Sequence, residues 1–266
     1  VFRQLYTQET FDPLRVGGLR GLIMAEPTQA TELLMAALTE GDGPLRKLAV
    51  RLLVERPADY PLAPFLEKLP TLPASEQVAL LEAVRLRGEP SARAAVRNAC
   101  DSRETEVRLA ALRAMAAVGN AEDVIFLAKV AVGEAPECAA GRLALASMPG
   151  PEPDRTILEQ LPGAQPSVRI ELIRALAARG IRAGAALLPD QLSQSNDAVR
   201  QAALEALAVL GDERQVTAVI DFMKSTAEPT MQKTAITALE ALVGRAESRS
   251  VTPLLTGLTG ANASVR

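Results

Sequence analysis

The chain repeats a helical segment at a nearly constant spacing, and this repetition restricts the fold more than any other feature. TEVRLAALRAMAAVGN at 105–120 is followed 92 residues later by DAVRQAALEALAVLGD at 197–212. Along the chain, an equivalent of Val107 recurs every 30 to 34 residues. We call these residues the marks: Leu14, Leu45, Glu76, Val107, Cys138, Val168, Val199, Met231 and Val265. Internal periods of this length are typical of solenoids and other stacked arrays.

Apolar residues stand at fixed offsets from each mark. Offsets 0, +4, +5 and +8 share one face of an α-helix. Offset +4 holds small residues such as Ala49, Ala111, Ala203 and Ala235, which allow neighbouring helices to approach closely. Offset +5 holds Leu19, Val50, Leu81, Leu112, Leu143, Ile173, Leu204 and Ile236. The pattern predicts one amphipathic helix per unit, with offset +5 in the core.

The ends of these helices carry signals as well. A proline precedes the mark by one or two residues at Pro13, Pro44, Pro136, Pro166 and Pro229, where it costs no helical hydrogen bond. Twelve residues after a mark stand Gly88, Gly119, Gly150, Gly180 and Gly211, where a helix commonly ends on a left-handed residue. Each unit therefore contains a helix of about three turns.

A second apolar stretch lies between successive marked helices, as at 27–38, 121–132 and 213–224. A unit of two antiparallel helices cannot bury its apolar faces alone, but stacked pairs form a continuous two-layer core. The sequence thus predicts an all-α, right-handed α-solenoid of about eight helix pairs without a β-sheet. We expect one array over 1–266.

The pattern V-R-x-x-A-L-x-A-L-x-x-L-G-D, with its period near 31, resembles HEAT-like repeats, in particular the short bacterial type of phycobilisome lyases. Segments such as LPTLPASEQVALLEAVRLRGE are also similar to repeat arms of multidomain bacterial proteins. The resemblance implies that the second helix of each pair lines a concave surface. It also implies a ladder between the Arg of V-R and an Asp before the second helix, for which Asp101 is the candidate.

Composition removes several functional classes. The chain has no His, which excludes Ser-His and Cys-His nucleophile pairs, imidazole metal ligands and the commonest general base. Cys100 and Cys138 have no CxxC spacing, which favours two buried free thiols over a disulfide. The net charge is −3, so no global positive field attracts nucleic acid or a membrane. We expect neither an enzyme nor a cofactor, metal or membrane insertion. The compartment, cytoplasmic or exported, stays open.

Offset +6 points most directly away from the predicted core and gives the candidate site. Its residues are Arg20, Arg51, Glu82, Arg113, Ala144, Arg174, Glu205 and Thr237, which we call the row. Beside the row, offset +2 supplies Val16, Lys47, Val78, Leu109, Ala140 and Ile170. Guanidinium groups next to apolar contacts suit a protein or peptide partner with acidic side chains. The alternative is that these arginines only keep the surface hydrated.

Three functional hypotheses follow. A scaffold or repeat arm, with an attached catalytic domain as one form, explains every strong signal. A non-catalytic subunit of a bilin-lyase-like complex rests on the repeat type alone. Nucleic-acid binding would need aromatic side chains beside the basic row, and these are missing.

Some segments depart from the repeat pattern. Glu76, Cys138 and Met231 begin units that lack the apolar-Arg pair, either through decay of a redundant repeat or as a local binding feature. VGGLRG at 16–21 is not a phosphate-binding loop and predicts close helix packing near a chain end. The proline-rich segment 56–73 predicts a shortened first helix with a rigid connector, with a docking surface as the alternative.

Overall fold

A computed structural model describes residues 1–8, 10–57 and 60–245, and its regular structure is helical. No strand occurs in these ranges. The marked, or second, helices are α2 (Asp12–Ala25), α4 (Gly43–Val54), α6 (Ala74–Arg87), α8 (Thr105–Val118), α10 (Pro136–Ser147), α12 (Pro166–Arg179), α14 (Asp197–Leu210) and α16 (Pro229–Arg245). The first helices are α1 (Phe2–Gln8), α3 (Ala30–Thr39), α5 (Ala63–Lys68), α7 (Arg93–Ala99), α9 (Val124–Val130), α11 (Glu152–Gln160), α13 (Leu188–Leu192) and α15 (Val216–Ser225). The mark Val265 and Arg266 lie outside the described residues.

The helices form two compact units, each built from stacked pairs. The first unit holds Val1–Gly119 and Ala135–Pro149, and the second holds Asn120–Glu134 and the chain from Gly150 onward. In the first unit, α2 packs on α4, α4 on α6, α6 on α8 and α8 on α10. In the second, α12 packs on α14 and α14 on α16. Within each unit, the described helices stack through their second helices, which confirms the predicted all-α solenoid class. The right-handed twist and a single array over 1–266 stay predictions.

The core follows the predicted offsets in most second helices. The +4 alanines Ala49, Ala111, Ala203 and Ala235 are completely buried. Leu112 and Leu204 at offset +5 and Met115 and Leu207 at +8 are buried with them. Burying such a side chain contributes roughly 1.5–3 kcal/mol to the free energy of unfolding, so these repeated apolar positions are the main source of stability.

Two second helices depart from this phase. In α10, Leu143 is 57% exposed because the buried residues after Cys138 are Ala140, Gly141, Ala144 and Leu145. In α16, Ile236 is 40% exposed. Offset +5 lies outside the buried face of both helices, so the prediction of a core position is wrong for these two residues.

The glycines that follow the second helices serve two different purposes. Gly88 and Gly180 adopt φ of 66° and 68° and end α6 and α12 in the predicted left-handed conformation. Gly119 and Gly211 have φ of −66° and −72°, so that prediction is wrong for them. They are required because there is no space for a side chain: a Cβ on Gly119 would lie 2.6 Å from the carbonyl oxygen of Met115.

Short 3₁₀ turns open most of the first helices. The turns Ala121–Asp123 and Glu213–Gln215 lead into α9 and α15, and each begins with a capping box, at Asn120 and Asp212. These side chains accept hydrogen bonds from backbone N–H groups that the helix leaves unpaired. In the proline-rich segment, α5 has only six residues, as predicted, and residues 58–59 lie outside the description. Phe65 is completely buried there, so it is not available for docking.

The first helix of the chain, α1, lies directly against α2 at the two glycines of VGGLRG. A Cβ on Gly18 would lie 2.6 Å from the backbone nitrogen of Tyr6, and one on Gly21 would lie 2.4 Å from the Phe2 ring. The segment is inside a helix and permits close packing near the chain end, as predicted.

Further findings concern cysteines and membranes. Cys100 and Cys138 are buried and are not joined in a disulfide, which confirms the preference for two thiols. Across the described part of the chain, no helix is both long and apolar enough to cross a membrane.

Substituting a +5 leucine by aspartate separates buried positions from exposed ones. Leu112→Asp and Leu204→Asp each place an unpaired carboxylate in the core, and we expect the free energy of unfolding to fall by about 4 kcal/mol or more. Leu143→Asp at the same offset serves as the control and should change it by less than about 0.5 kcal/mol. Urea denaturation followed by circular dichroism measures all three. Equal destabilisation by the three variants would contradict the assigned phase.

A second substitution tests the contact between α1 and α2. Gly18→Ala introduces a methyl group against backbone atoms of α1, so we expect α1 to be displaced and residues 2–8 to exchange amide hydrogens faster. Gly17→Ala is the matched control, because a Cβ there meets nothing within 4 Å. That control should retain protection and gain up to about 1 kcal/mol of helix stability. Hydrogen-exchange mass spectrometry distinguishes the two, and equal protection of 2–8 would show that α1 does not depend on Gly18.

Candidate protein-interaction surface

The row predicted at offset +6 lies on the exposed side of the second helices, with two exceptions. Arg20, Arg51, Arg113, Arg174, Glu205 and Thr237 are exposed. Glu82 is half-buried, and Ala144 is completely buried. The assignment of Ala144 to the row was therefore wrong, because the phase of α10 is displaced by one residue. Leu143 occupies the exposed place instead.

In the first unit, residues one helical turn before and after the row complete a continuous surface. The turn before it holds exposed Lys47 and half-buried Val16, Val78 and Leu109. The turn after it holds exposed Met24, Glu55 and Leu86. We call these residues, with Arg20, Arg51, Glu82, Arg85, Arg113 and Leu143, the unit 1 face. Sequence reasoning missed Met24, Leu86 and Leu143, although their spacing from row residues would have indicated the first two.

The second helices are held in register by the arginines that follow the marks. Arg15 pairs with Asp42, Arg46 with Glu76 and Arg108 with Glu137, each acid lying at the start of the next second helix. In the second unit, Arg169 donates to Gln194, 3.0 Å away, in the same manner. Because these contacts link positions one repeat apart, row residues on adjacent helices stand at the same level.

Arg46, Arg108 and Arg169 also donate to carbonyl oxygens of the loop inside their own pair, and Arg46 does so to Gly41 at 3.0 Å. Arg108 donates to the carbonyl oxygens of Ser102 and Arg103 at 3.0 and 2.9 Å. Arg169 donates to Pro162 and Ala164 at 3.0 and 2.8 Å. A guanidinium group presents five donors in a planar fork, so one side chain can satisfy loop carbonyls and still reach the next helix.

The ladder acceptor expected at Asp101 is a different residue. Asp101 pairs with Arg97 on its own first helix, at 3.0 Å, and Arg108 pairs with Glu137 of the following pair. The ladder therefore links one helix pair to the next. Asp101 lies between the two helices of a single pair, so it could not form such a link.

The residues that break the repeat pattern are structural. Glu76 has a side chain only 7% exposed and accepts from Arg46, while Cys138 and Met231 are buried. Burial alone would raise the pKa of Glu76, but hydrogen bonds from Ser75, from its own backbone N–H and from Arg46 prevail, and the pKa lies below the ordinary 4.5. Glu76 is thus an ionised member of the ladder.

Acids within the unit 1 face neutralise some of its arginines but not all. Glu55 lies 2.8 Å from Arg51 and 3.8 Å from Arg20, so it serves two arginines of neighbouring helices. Glu82 accepts from Arg85 at 2.7 Å, and this bond, with the charges of Arg85 and Arg113, holds its pKa below the ordinary value against the effect of burial. Among the described residues, Arg113 has no hydrogen-bond or ion-pair partner.

The second unit presents a different, more nearly neutral surface. Arg174 pairs at 2.7 Å with Glu171, whose side chain is 4% exposed. Glu205 accepts from Gln201 at 3.0 Å. Ile170 at offset +2 is half-buried. The row is therefore present in both units, but unpaired positive charge belongs to the first.

A cavity of about 810 Å³ in the second unit was not predicted. Arg182, Val209, Asp212, Arg214 and Arg245 are among its lining residues. Arg245 donates to the carbonyl oxygens of Leu207, Ala208 and Gly211, and Arg214 pairs with Asp212. These two cations are thus already engaged by the protein, and no sequence motif marks the cavity.

A family model described as HEAT repeats matches residues 155–240. This part of the chain is therefore similar to HEAT repeats. The match runs from α11 into α16. A search of curated protein sequences found no match.

Several solved structures are similar to the chain at low sequence identity. The Escherichia coli protein YIBA is 18% identical with a TM-score of 0.41, and the alignment covers 90% of each chain. An engineered protein is 19% identical with a TM-score of 0.40, covering 99% of this chain and 85% of that one. Human deoxyhypusine hydroxylase in complex with glycerol is 19% identical with a TM-score of 0.36, covering 91% and 94%.

The ladder acid gives stability a specific pH dependence. Because the pKa of Glu76 is lower in the folded state than its ordinary value, its carboxylate stabilises the protein above pH 4.5. That contribution is lost as the pH falls through the lowered pKa. We therefore expect Glu76→Gln to lower the urea midpoint at pH 7 and to approach wild type at pH 3.

The control for this experiment removes a carboxylate outside the ladder. Glu159→Gln changes an exposed residue of α11. Its urea midpoint should follow wild type at both pH values. A difference between Glu76→Gln and wild type that stays constant from pH 7 to pH 3 would show that the Glu76 carboxylate does not contribute in this way.

Proposed function

We propose that the protein is a non-catalytic interaction scaffold whose unit 1 face binds a protein segment with acidic side chains. The observation that carries this proposal is the set of exposed row arginines on α2, α4 and α8, with ladder contacts that join α2 to α4, α4 to α6 and α8 to α10. A rigid surface of this kind binds without ordering its own backbone, which reduces the entropic cost of association.

The charge of the face supports an acidic partner. Arg20, Lys47, Arg51, Arg85 and Arg113 outnumber Glu55 and Glu82, although the whole chain has a net charge of −3. The positive charge is therefore local. Guanidinium groups bind carboxylates through two parallel hydrogen bonds, and such pairs set both position and orientation.

The composition of the same surface supports a binding role over catalysis. Its polar groups are guanidinium, ammonium and carboxylate, and the sequence contains no His that could transfer protons near neutral pH. The face holds no Tyr or Phe on which a nucleobase could stack. A repeat arm attached to a further domain would use the face in the same way.

A charge-reversal variant tests the proposal directly. Arg20, Arg51 and Arg113 are replaced together by Glu, since an exposed ion pair is worth only about 0–1 kcal/mol and single changes give little signal. A matched variant replaces Arg103, Arg155 and Arg182, which are exposed outside the face, and carries the same change in charge. Both variants are checked by circular dichroism.

The probes are a fluorescein-labelled peptide of alternating Glu and Leu and a single-stranded DNA of equal charge. We expect the peptide to bind wild type and the matched variant, to weaken as salt rises, and to bind the face variant at least about tenfold less tightly. Equal affinity of both variants would refute the proposal. DNA bound more tightly than peptide, and lost with the face arginines, would favour nucleic acid. Co-purification of a coloured bilin with wild type would favour the lyase-like subunit.

A further inference from the structure

We propose that Arg113 anchors a peptide site, and that the bound segment carries one carboxylate between two large apolar side chains. This inference rests on the proposed function and names the partner chemistry that the unit 1 face selects.

Arg113 differs from its neighbours because its guanidinium group is not engaged. Arg20 and Arg51 share Glu55, and Arg85 holds Glu82. A carboxylate that approaches Arg51 must compete with Glu55 for the same donors. At Arg113 it gains charge-assisted hydrogen bonds without breaking an ion pair, so the first contact forms there.

Leucines lie on three sides of Arg113. Leu109 stands one turn earlier on α8 and is half-buried. Leu86 on α6 is 51% exposed and Leu143 on α10 is 57% exposed. α6 and α10 pack against α8, so these two leucines flank it on opposite sides.

One ladder contact and the charge of Arg113 indicate the positions of these residues along their helix axes. The Arg108–Glu137 pair ties α8 to α10, five residues before Arg113 and six before Leu143. On the other side, the charge of Arg113 lowers the pKa of Glu82, which lies one turn before Leu86 on the same helix face. Arg113 is therefore central to an apolar surface of three helices.

The distances determine the length of the segment. Neighbouring helix axes are separated by roughly 8–10 Å, so Leu86 and Leu143 are separated by roughly 16–20 Å across α8. An extended chain advances about 3.3 Å per residue and covers this distance in about five or six residues. A segment that crosses the helices can therefore place an apolar side chain on each leucine and a carboxylate over Arg113, two or three residues from either end.

The charges also determine how many acids the segment carries. Glu82 is near enough to Arg113 for that charge to lower its pKa, so a second carboxylate bound on the α6 side of Arg113 would be repelled by Glu82. Repulsion of this kind opposes binding. The site thus favours a single acid at the centre over an acidic run.

The experiment selects segments without assuming their sequence. Random seven-residue peptides displayed on phage are selected against the wild-type protein, the Arg113→Glu variant and the Arg155→Glu variant. Arg155 is an exposed arginine of α11, outside the unit 1 face, and provides the same change in charge. We expect wild type and Arg155→Glu to enrich a central Asp or Glu with apolar residues two or three positions away. Arg113→Glu should enrich Lys or Arg at the centre.

Affinity measurements then test the apolar contact separately. The best peptide, labelled with fluorescein, is titrated into wild type and Leu143→Ser, as are two further peptides that each have Ser in place of the apolar residue at one end. We expect Leu143→Ser to weaken the first peptide about threefold or more and to leave one of the two end-substituted peptides unchanged, which isolates the pairwise contact.

The outcomes separate this inference from the proposed function. Acidic peptides that bind wild type, depend on Arg20 and Arg51, and are unaffected by Arg113→Glu would overturn the anchor and leave the function in place. Enriched peptides with acidic runs, or without a central acid, would overturn the stated partner chemistry. Failure of any acidic peptide to bind the face would overturn both.

Discussion

The burial of small apolar side chains between adjacent second helices is the interaction on which the structure depends. A single helix pair has apolar residues on more than one side, and only a neighbouring pair can cover them. Ala49, Ala111 and Ala203 allow this contact to be close, since a larger side chain would separate the helices. The absence of Trp and the scarcity of aromatic residues are consistent with a core assembled from many thin layers.

Packing of similar helices does not by itself fix their register. The arginine ladder fixes it. Arg108 joins the loop of its own pair to Glu137 at the start of the next second helix. Loop carbonyls that lack a helical partner need a donor, and the guanidinium group provides it while its charge is neutralised on the neighbouring helix. At the other end of the helices, Arg87 donates to Leu53 of the preceding second helix at 2.7 Å. Fixed register is what makes an aligned row of functional side chains achievable.

Most of the fold could be predicted from the sequence because its determinants are local and repeated. The positions of Pro44 and Pro136 at helix starts and of Leu112 and Leu204 in the core follow from helical periodicity alone. The exposure of Leu143 was not predicted, because a helix can rotate about its axis when small residues such as Gly141 and Ala144 are available for the core. The requirement for glycine at position 119 depends partly on the position of Met148, which cannot be read from the sequence.

The candidate site was predictable in location but not in electrostatic state. Offset +6 identified Arg20, Arg51 and Arg113 as exposed, since that depends only on helix phase. Which of them is paired depends on where an acid of the same or a neighbouring helix places its oxygens. Glu55 reaches two arginines, whereas no acid in the described part of the chain forms an ion pair with Arg113. The ladder acids were missed for the same reason, because Glu137 and Asp42 stand at different offsets from their marks.

The glycines that follow the second helices are of two kinds. Gly88, Gly150 and Gly180 have a positive φ, whereas Gly119 and Gly211 have an ordinary φ but no space for a Cβ beside Met148 and Leu242. An alanine at a position of the first kind would strain the backbone, and at one of the second kind it would press on a packed side chain. The same substitution therefore perturbs the conformation of a connection at one glycine and the contact between elements at another.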